Sequence, residues 1–202
     1  MQFRAPKFLR RLMPSLIWEI GDERRVFLTF DDGPTPEITP WILGQLSNYG
    51  AKATFFCLGK NVEQYPDLFQ MIVDAGHKVG NHTYSHQKGW GMDVESYVED
   101  VDLANQFIRT DLFRPPYGRI RPVQARILSE RYHIIMWNVL SRDYSQVISP
   151  RSCLRNVTRY VQGGSIVVFH DSRKSFRNLR YALPRTLDYL QKQGFECASI
   201  DL

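Results

Sequence analysis

"VFLTFDDGP" runs from Val26 to Pro34. Five apolar or β-branched residues come first, then two acids, then Gly-Pro. An unbroken run of this kind reads as a strand buried on both faces, the type found in parallel α/β sheets and barrels. Gly33-Pro34 makes a turn directly after it. A turn accounts for the glycine and the proline but not for two acids closing a buried strand. In parallel α/β folds, sites gather just past the carboxyl ends of the strands. Asp31 and Asp32 are therefore the first candidates for chemistry. Adjacent side chains on a strand point in different directions, so one acid can hold a cation while the other stays free as a base.

The same strand-then-helix unit recurs along the chain. Thr39-Pro40 predicts a helix with Thr39 as N-cap and Pro40 in the first turn, ended by Gly50. "ATFFCL" (53–58) is the next strand, followed by a helix from about Pro66 to Ala75 and the short strand "KVGNH". Asp93 caps a helix reaching about Thr110, and "LFRPPYG" is a short extended segment. A helix from about Pro122 to Arg131 precedes the strand "HIIMWNV". Ser149-Pro150 opens a helix closed by Gly163-Gly164. "SIVVFH", a helix over 179–193 and a final strand "ECASI" complete the pattern. The alternation predicts an α/β fold with about seven parallel strands, a compact barrel short of the usual eight. With no repeat or interdomain linker, residues 25–202 form one barrel domain. Residues 1–24 are expected to pack on it or flank it.

Composition fits a folded domain: 202 residues, 43% hydrophobic and 23% charged, which argues against disorder. Lys plus Arg number 26 against 21 Asp plus Glu. This surplus is compatible with an anionic substrate or a membrane surface, and equally with an ordinary solvated surface. No nucleic-acid partner is expected. Cys57, Cys153 and Cys197 are an odd set, far apart, which suggests neither a disulfide framework nor a thiolate zinc site. No apolar run is long enough to span a bilayer. The start, "MQFRAPKFLRRLMPSLIWEI", is too interrupted for a signal peptide. It mixes Phe3, Phe8, Leu9, Leu12 and Met13 with Arg4, Lys7, Arg10 and Arg11, a pattern able to lie on an anionic membrane or to pack on its own domain. The expectation is a monomer, cytoplasmic or peripheral to a membrane.

Polar and ionisable residues follow several of the strands. His82 and His86 share one face if a helical turn begins at His82. With Asp31 or Asp32 they complete a His, His, carboxylate set that leaves an open position for water. Arg114 can fix the second carboxylate. Pro115 and Pro116 have no N–H, so a usable backbone donor must come from Tyr117 or Gly118. His170 ends the most apolar strand, across from the metal set, where a histidine can protonate a leaving group.

"TFDDG" (29–33), "HTYSH" (82–86), "RPPYG" (114–118) and "VFH" (168–170), in this order, resemble the motifs of NodB-type polysaccharide deacetylases, carbohydrate esterase family four. The resemblance covers residues from about 25 to 200. It implies a distorted seven-stranded (β/α) barrel with one divalent metal, Zn²⁺ foremost and Co²⁺ or Ni²⁺ as substitutes. It also implies hydrolysis of N-acetyl or O-acetyl groups on sugars, here an N-acetylglucosamine-containing glycan or glycolipid. Carried over by position, Asp31 resembles the general base, and Asp32, His82 and His86 the metal ligands. Arg114 resembles the residue positioning the base, the Tyr117 amide the oxyanion donor and His170 the general acid. Asp143, Tyr144 and Val168 stand at positions expected near the substrate, Val168 in the wall around the acetyl methyl.

The fourth motif departs from the family pattern. "LSRDY" puts Leu140 where an Asp that supports the catalytic histidine is expected, and Tyr144 where a Trp is usual. Ser141, Asp143 and Asp171 are alternative supports for His170. The altered motif keeps a catalytically impaired sugar-binding barrel as an alternative, beside hydrolysis of a non-sugar amide or a formyl group. The loop "DSRKSFRNLR", with Arg173, Lys174, Arg177 and Arg180, either attracts an anionic substrate or is a solvated helix start.

Overall fold

The computed structural model describes Met13 and residues 15–202. The basic and aromatic residues of the N-terminal segment up to Leu12 lie outside the described residues. Among the described residues nine strands form one parallel sheet: β1 (Leu16–Ile17), β2 (Arg25–Asp31), β3 (Thr54–Cys57), β4 (Lys78–Asn81), β5 (Leu112–Phe113), β6 (His133–Ile135), β7 (Val139–Leu140), β8 (Ile166–His170) and β9 (Glu196–Cys197). Their order is β1-β6-β5-β4-β3-β2-β8-β7, with β9 beside the start of β2. The helices are α1 (Ile38–Asn48), α2 (Gly59–Gln64), α3 (Pro66–Asp74), α4 (Val94–Ile108), α5 (Pro122–Leu128), α6 (Pro150–Thr158) and α7 (Phe176–Lys192). None is long and apolar enough to cross a membrane among the described residues.

Strand alternation sorts β2 into two faces. Val26, Leu28 and Phe30 pack outward with Ile42, Leu46, Leu183 and Leu187 of the helices. Phe30 stacks between Phe55 and Phe169, with ring centroids 5.0 and 6.0 Å away. Phe27 faces inward with Phe56, Leu112, Ile135 and Ile166, and Ala198 and Ile200 close the same apolar cluster. Thr29 and Asp31 share that inward face one and two steps further on. The barrel thus has an apolar floor below a polar mouth.

Three local expectations are corrected. "HIIMWNV" is not one strand: it stops after Ile135 and restarts as β7 at Val139. The Arg114 guanidinium donates to the Ile135 and Met136 carbonyls at 3.1 and 3.0 Å, at the point where the strand breaks. Thr39 is not the cap of α1. Glu37 stands there, and the buried Thr39 hydroxyl accepts from the Thr35 amide and donates to Asp171. Strand β1 and helix α2 have no counterpart in the sequence reading. Asp93 and Ser149 do cap α4 and α6, accepting from Ser96 N at 2.9 Å and Ser152 N at 3.1 Å.

Candidate active site

Strand β2 delivers both acids in different directions. Asp31 ends the strand facing inward, and Asp32 then adopts φ 81°. Thr83, His86, Tyr117 and Arg142 also have positive φ, each in a loop after a strand at the same end of the barrel. Such conformations cost about 1–3 kcal/mol each and persist where packing over-determines them, characteristically at functional sites.

Strand β4 delivers the histidines. Buried Asn81 ties the loop down, accepting from Thr83 N at 2.8 Å and donating to the Val101 carbonyl at 2.9 Å. The segment after it is not a helical turn. Thr83 Oγ1 accepts from His86 N at 3.0 Å, and the Asp100 carboxylate accepts from the Tyr84 and Ser85 amides and the Ser85 hydroxyl. This turn, rather than helical spacing, brings the imidazoles together, with ring centroids 5.2 Å apart. His82 Nδ1 lies 2.7 Å from the Arg114 carbonyl, which leaves Nε2 for the site.

Asp32 Oδ1 lies 3.7 Å from His82 Nε2 and 3.2 Å from His86 Nε2. The ligand atoms of Asp32, His82 and His86 all fall within 4.8 Å of one another. Asp32 Oδ1 is buried without a hydrogen-bond partner. A buried anionic oxygen left without a donor, facing two imidazole nitrogens, is the arrangement a cation would satisfy. Burial opposes ionisation of Asp32, yet the neighbouring His86, His170 and His82 hold its carboxyl well below the usual range. Burial pushes His82 down to about 4, so it is neutral at pH 7, as a ligand must be.

Arg114 is wholly buried and makes four hydrogen bonds. One terminal nitrogen donates to Asp31 Oδ1 and Thr29 Oγ1, both at 2.7 Å, and its carbon lies 4.0 Å from the Phe56 ring centroid. The contact with Asp31 is single, not the bidentate pair that Arg and carboxylate often make. No hydrogen bond occupies Asp31 Oδ2 among the described residues. In "RPPYG", Gly118 N donates to the Pro115 carbonyl and Arg119 N to the Pro116 carbonyl, whereas the Tyr117 amide has no acceptor among the described residues. The Tyr117 ring packs 4.7 Å from the His86 ring.

Asp143 holds His170 twice. Its Oδ1 lies 2.7 Å from His170 Nδ1, and its Oδ2 accepts the His170 amide at 2.7 Å. Asp143 is completely buried, so it stands behind His170 and not against substrate. Asn178 donates to the Asp143 carbonyl at 2.8 Å and Ser141 Oγ accepts from its amide at 3.3 Å. Asp171 points elsewhere, to Thr39, and burial raises its carboxyl to about 7. Burial alone would lower the His170 pKa, but Asp143, with Asp32 and Asp31, overrides it and raises it to about 9. The Tyr144 ring meets His170 edge-on at 4.9 Å. Val168 is buried on the same strand face as His170 and pairs with Thr29 and Leu140. The sequence alone assigns no role to Thr29, Asn178 or Asp100. Only Thr29 carried a signal there, a hydroxyl two positions before Asp31 in an apolar strand.

The raised His170 value fixes a sign. Stability from the imidazolium is complete below about 6.5 and disappears as pH rises through about 9. An activity that needs the imidazolium falls over the same alkaline range. Asp143→Asn removes the carboxylate and is expected to move the alkaline limb of kcat/KM to lower pH. A limb that stays near pH 9 in the variant would contradict the assignment of Asp143.

Comparison with known proteins shows the family to which the chain belongs. The family profile for polysaccharide deacetylases matches residues 19–131. A peptidoglycan-N-acetylglucosamine deacetylase of Bacillus cereus is 31% identical over 192 residues, covering 91% of this chain and 90% of that protein. A chitooligosaccharide deacetylase of Rhizobium leguminosarum bv. trifolii is 32% identical over 158 residues, covering 75% and 73%. A solved peptidoglycan N-acetylglucosamine deacetylase superposes with a TM-score of 0.89 at 28% identity, over 97% of this chain and 95% of that one.

Proposed function

The chain belongs to the polysaccharide deacetylase family, and from that premise we propose that it hydrolyses the N-acetyl group of N-acetylglucosamine residues in a glycan. The observation that carries this reading is the flanking of Asp32, His82 and His86 by two held groups, Asp31 on Arg114 and His170 on Asp143. The names of the relatives, for peptidoglycan and for chitooligosaccharides, support the sugar.

A divalent cation, Zn²⁺ foremost, fits Asp32 Oδ1 and the Nε2 atoms of His82 and His86. When bound, it supplies Lewis-acid polarisation of the acetyl carbonyl and lowers the pKa of water. Asp31 accepts the proton of the attacking water at Oδ2, while Arg114 keeps Oδ1 in place. The Tyr117 amide donates to the carbonyl oxygen as it gains charge. His170, charged at neutral pH and steered through Nδ1, gives its Nε2 proton to the sugar nitrogen as the C–N bond breaks. Tyr144, edge-on to His170, forms the wall for the acetyl group, while Val168 is buried on the same strand below His170. The products are acetate and a free amino sugar.

The test is acetate release from an N-acetylglucosamine tetramer by zinc-loaded protein, with the sugar product weighed by mass spectrometry. The expected result is acetate together with a mass loss of one or more acetyl groups. A zinc-loaded, folded protein that releases no acetate from any acetylated sugar would favour the impaired-barrel alternative that the altered "LSRDY" motif raises.

A further inference from the structure

Positive charge is unevenly spread over the chain. Residues 141–187 include eight arginines and one lysine. The two acids in that stretch, Asp143 and Asp171, are fully buried. Eight of the nine cations are exposed, against a formal net charge of +5 for the whole chain. They stand on α6, on α7 and on the turn that enters α7, and the two helices pack on one another. Arg151 and Arg155 are four apart on α6, and Arg177 and Arg180 three apart on α7, so each pair shares one helix side. Arg173 and Lys174 continue the second row to the mouth of the barrel.

These six side chains are not held by acids. Among the described residues no ion pair includes any of them. Glu37 faces Arg173 across a small cleft without pairing to it. Like charges kept together without counter-charges repel one another, and an anionic partner relieves that repulsion.

An apolar side chain stands at the same edge. Val147, in the loop between β7 and α6, is 89% exposed. The loop is fastened to the basic turn: Gln146 Nε2 donates to the Lys174 carbonyl at 2.7 Å and Asn178 Nδ2 to the Ser145 carbonyl at 2.9 Å. Tyr144 of this loop meets His170, so the edge borders the mouth of the site. Cations on the outward sides of two helices, with an exposed aliphatic residue among them, suit a lipid surface: phosphates meet the guanidinium groups and the valine enters the headgroup layer. A soluble polyanion has no use for the valine.

We propose that Arg151, Arg155, Arg173, Lys174, Arg177, Arg180 and Val147 form a docking face for an anionic phospholipid surface, which turns the mouth of the barrel toward the bilayer. The face is separate from the N-terminal segment, and its binding is read without any activity.

The experiment sediments the full zinc-loaded chain with vesicles of phosphatidylcholine alone and of an equal mixture of phosphatidylcholine and phosphatidylglycerol. Binding to the anionic vesicles alone is expected, weakening as salt rises. Each cation near an anionic leaflet contributes roughly fivefold, so replacing all six by Gln is expected to weaken binding by at least about a hundredfold, and Arg173→Gln/Lys174→Gln alone by roughly ten- to thirtyfold. Val147→Ser, which removes no charge, is expected to weaken vesicle binding severalfold and to leave retention on a heparin column unchanged. Equal binding to both vesicle types, or parental binding by the Arg173→Gln/Lys174→Gln variant, overturns the docking face. Parental vesicle binding by Val147→Ser overturns the lipid as partner in favour of a soluble polyanion.

Discussion

Asp31→Asn is expected to lower turnover on an acetylated sugar by about 10²- to 10⁴-fold, the usual contribution of a positioned general base. Asparagine keeps the shape of aspartate, and its amide oxygen can still accept from Arg114, whose nitrogen lies 2.7 Å from Asp31 Oδ1. What it loses is the ability to take a proton. The loss should appear in kcat, with near-parental affinity for Zn²⁺, because Asp32 and not Asp31 faces the two histidines. Steady-state kinetics on the zinc-loaded variant, with its circular dichroism compared to the parent, check this. Activity within tenfold of the parent would remove Asp31 from the base role.

Arg114→Ala is expected to be the most destabilising single change at the site. The side chain is fully buried and donates to Asp31, Thr29, Ile135 and Met136 at once. Removing it leaves a carboxylate that is only 4% exposed without its partner, besides a cavity over Phe56. Breaking a buried pair from one side costs about 3–5 kcal/mol. For a chain of this length that is a fall in Tm of roughly 6–20 °C. Arg114→Lys retains one charge but lacks the fork needed to reach four acceptors, so it should fall between the parent and the alanine variant. Thermal unfolding followed by circular dichroism measures both. An alanine variant that melts within 2 °C or so of the parent would mean that Asp31 does not depend on this pair.

The strands that sequence pattern reveals best are those whose residues are all apolar. β2, β3 and β8 each have a strand on both sides and read as nearly unbroken apolar runs because both faces are covered. The break after Ile135 has no such signal. Arg114, 21 and 22 residues away, donates to the two carbonyls at the break, a long-range contact that no local pattern announces. Thr39 looked like a cap because Thr before Pro favours that position, but a tertiary contact to Asp171 claimed its hydroxyl. The two-residue strand at Leu16–Ile17 exists through its parallel pairing with Ile134 and Ile135, and a pattern of two residues is too short to read.

The site divides in the same way. Asp31, Asp32, His82, His86, Arg114 and His170 are legible because each reactive side chain stands at the end of an apolar strand or just past it. How they meet is not. The His82–His86 pair depends on a turn closed by Thr83, where the spacing suggested a helix. The support for His170 depends on how the loop after β7 folds, with Arg142 at φ 59° and Asn178 of α7 holding the Asp143 carbonyl. Three candidates were equal in sequence, and only the fold separates Asp143 from Ser141 and Asp171.

On the proposed function, hydrolysis depends on one cation held by Asp32, His82 and His86. Its most direct test is to strip the protein with a chelator and titrate Zn²⁺ back while following acetate release from an N-acetylglucosamine tetramer. The expected result is no activity in the stripped protein, a rise that saturates at one equivalent, and no such rise in His86→Ala at the same zinc concentrations. Full activity after stripping, or equal recovery in His86→Ala, would contradict it.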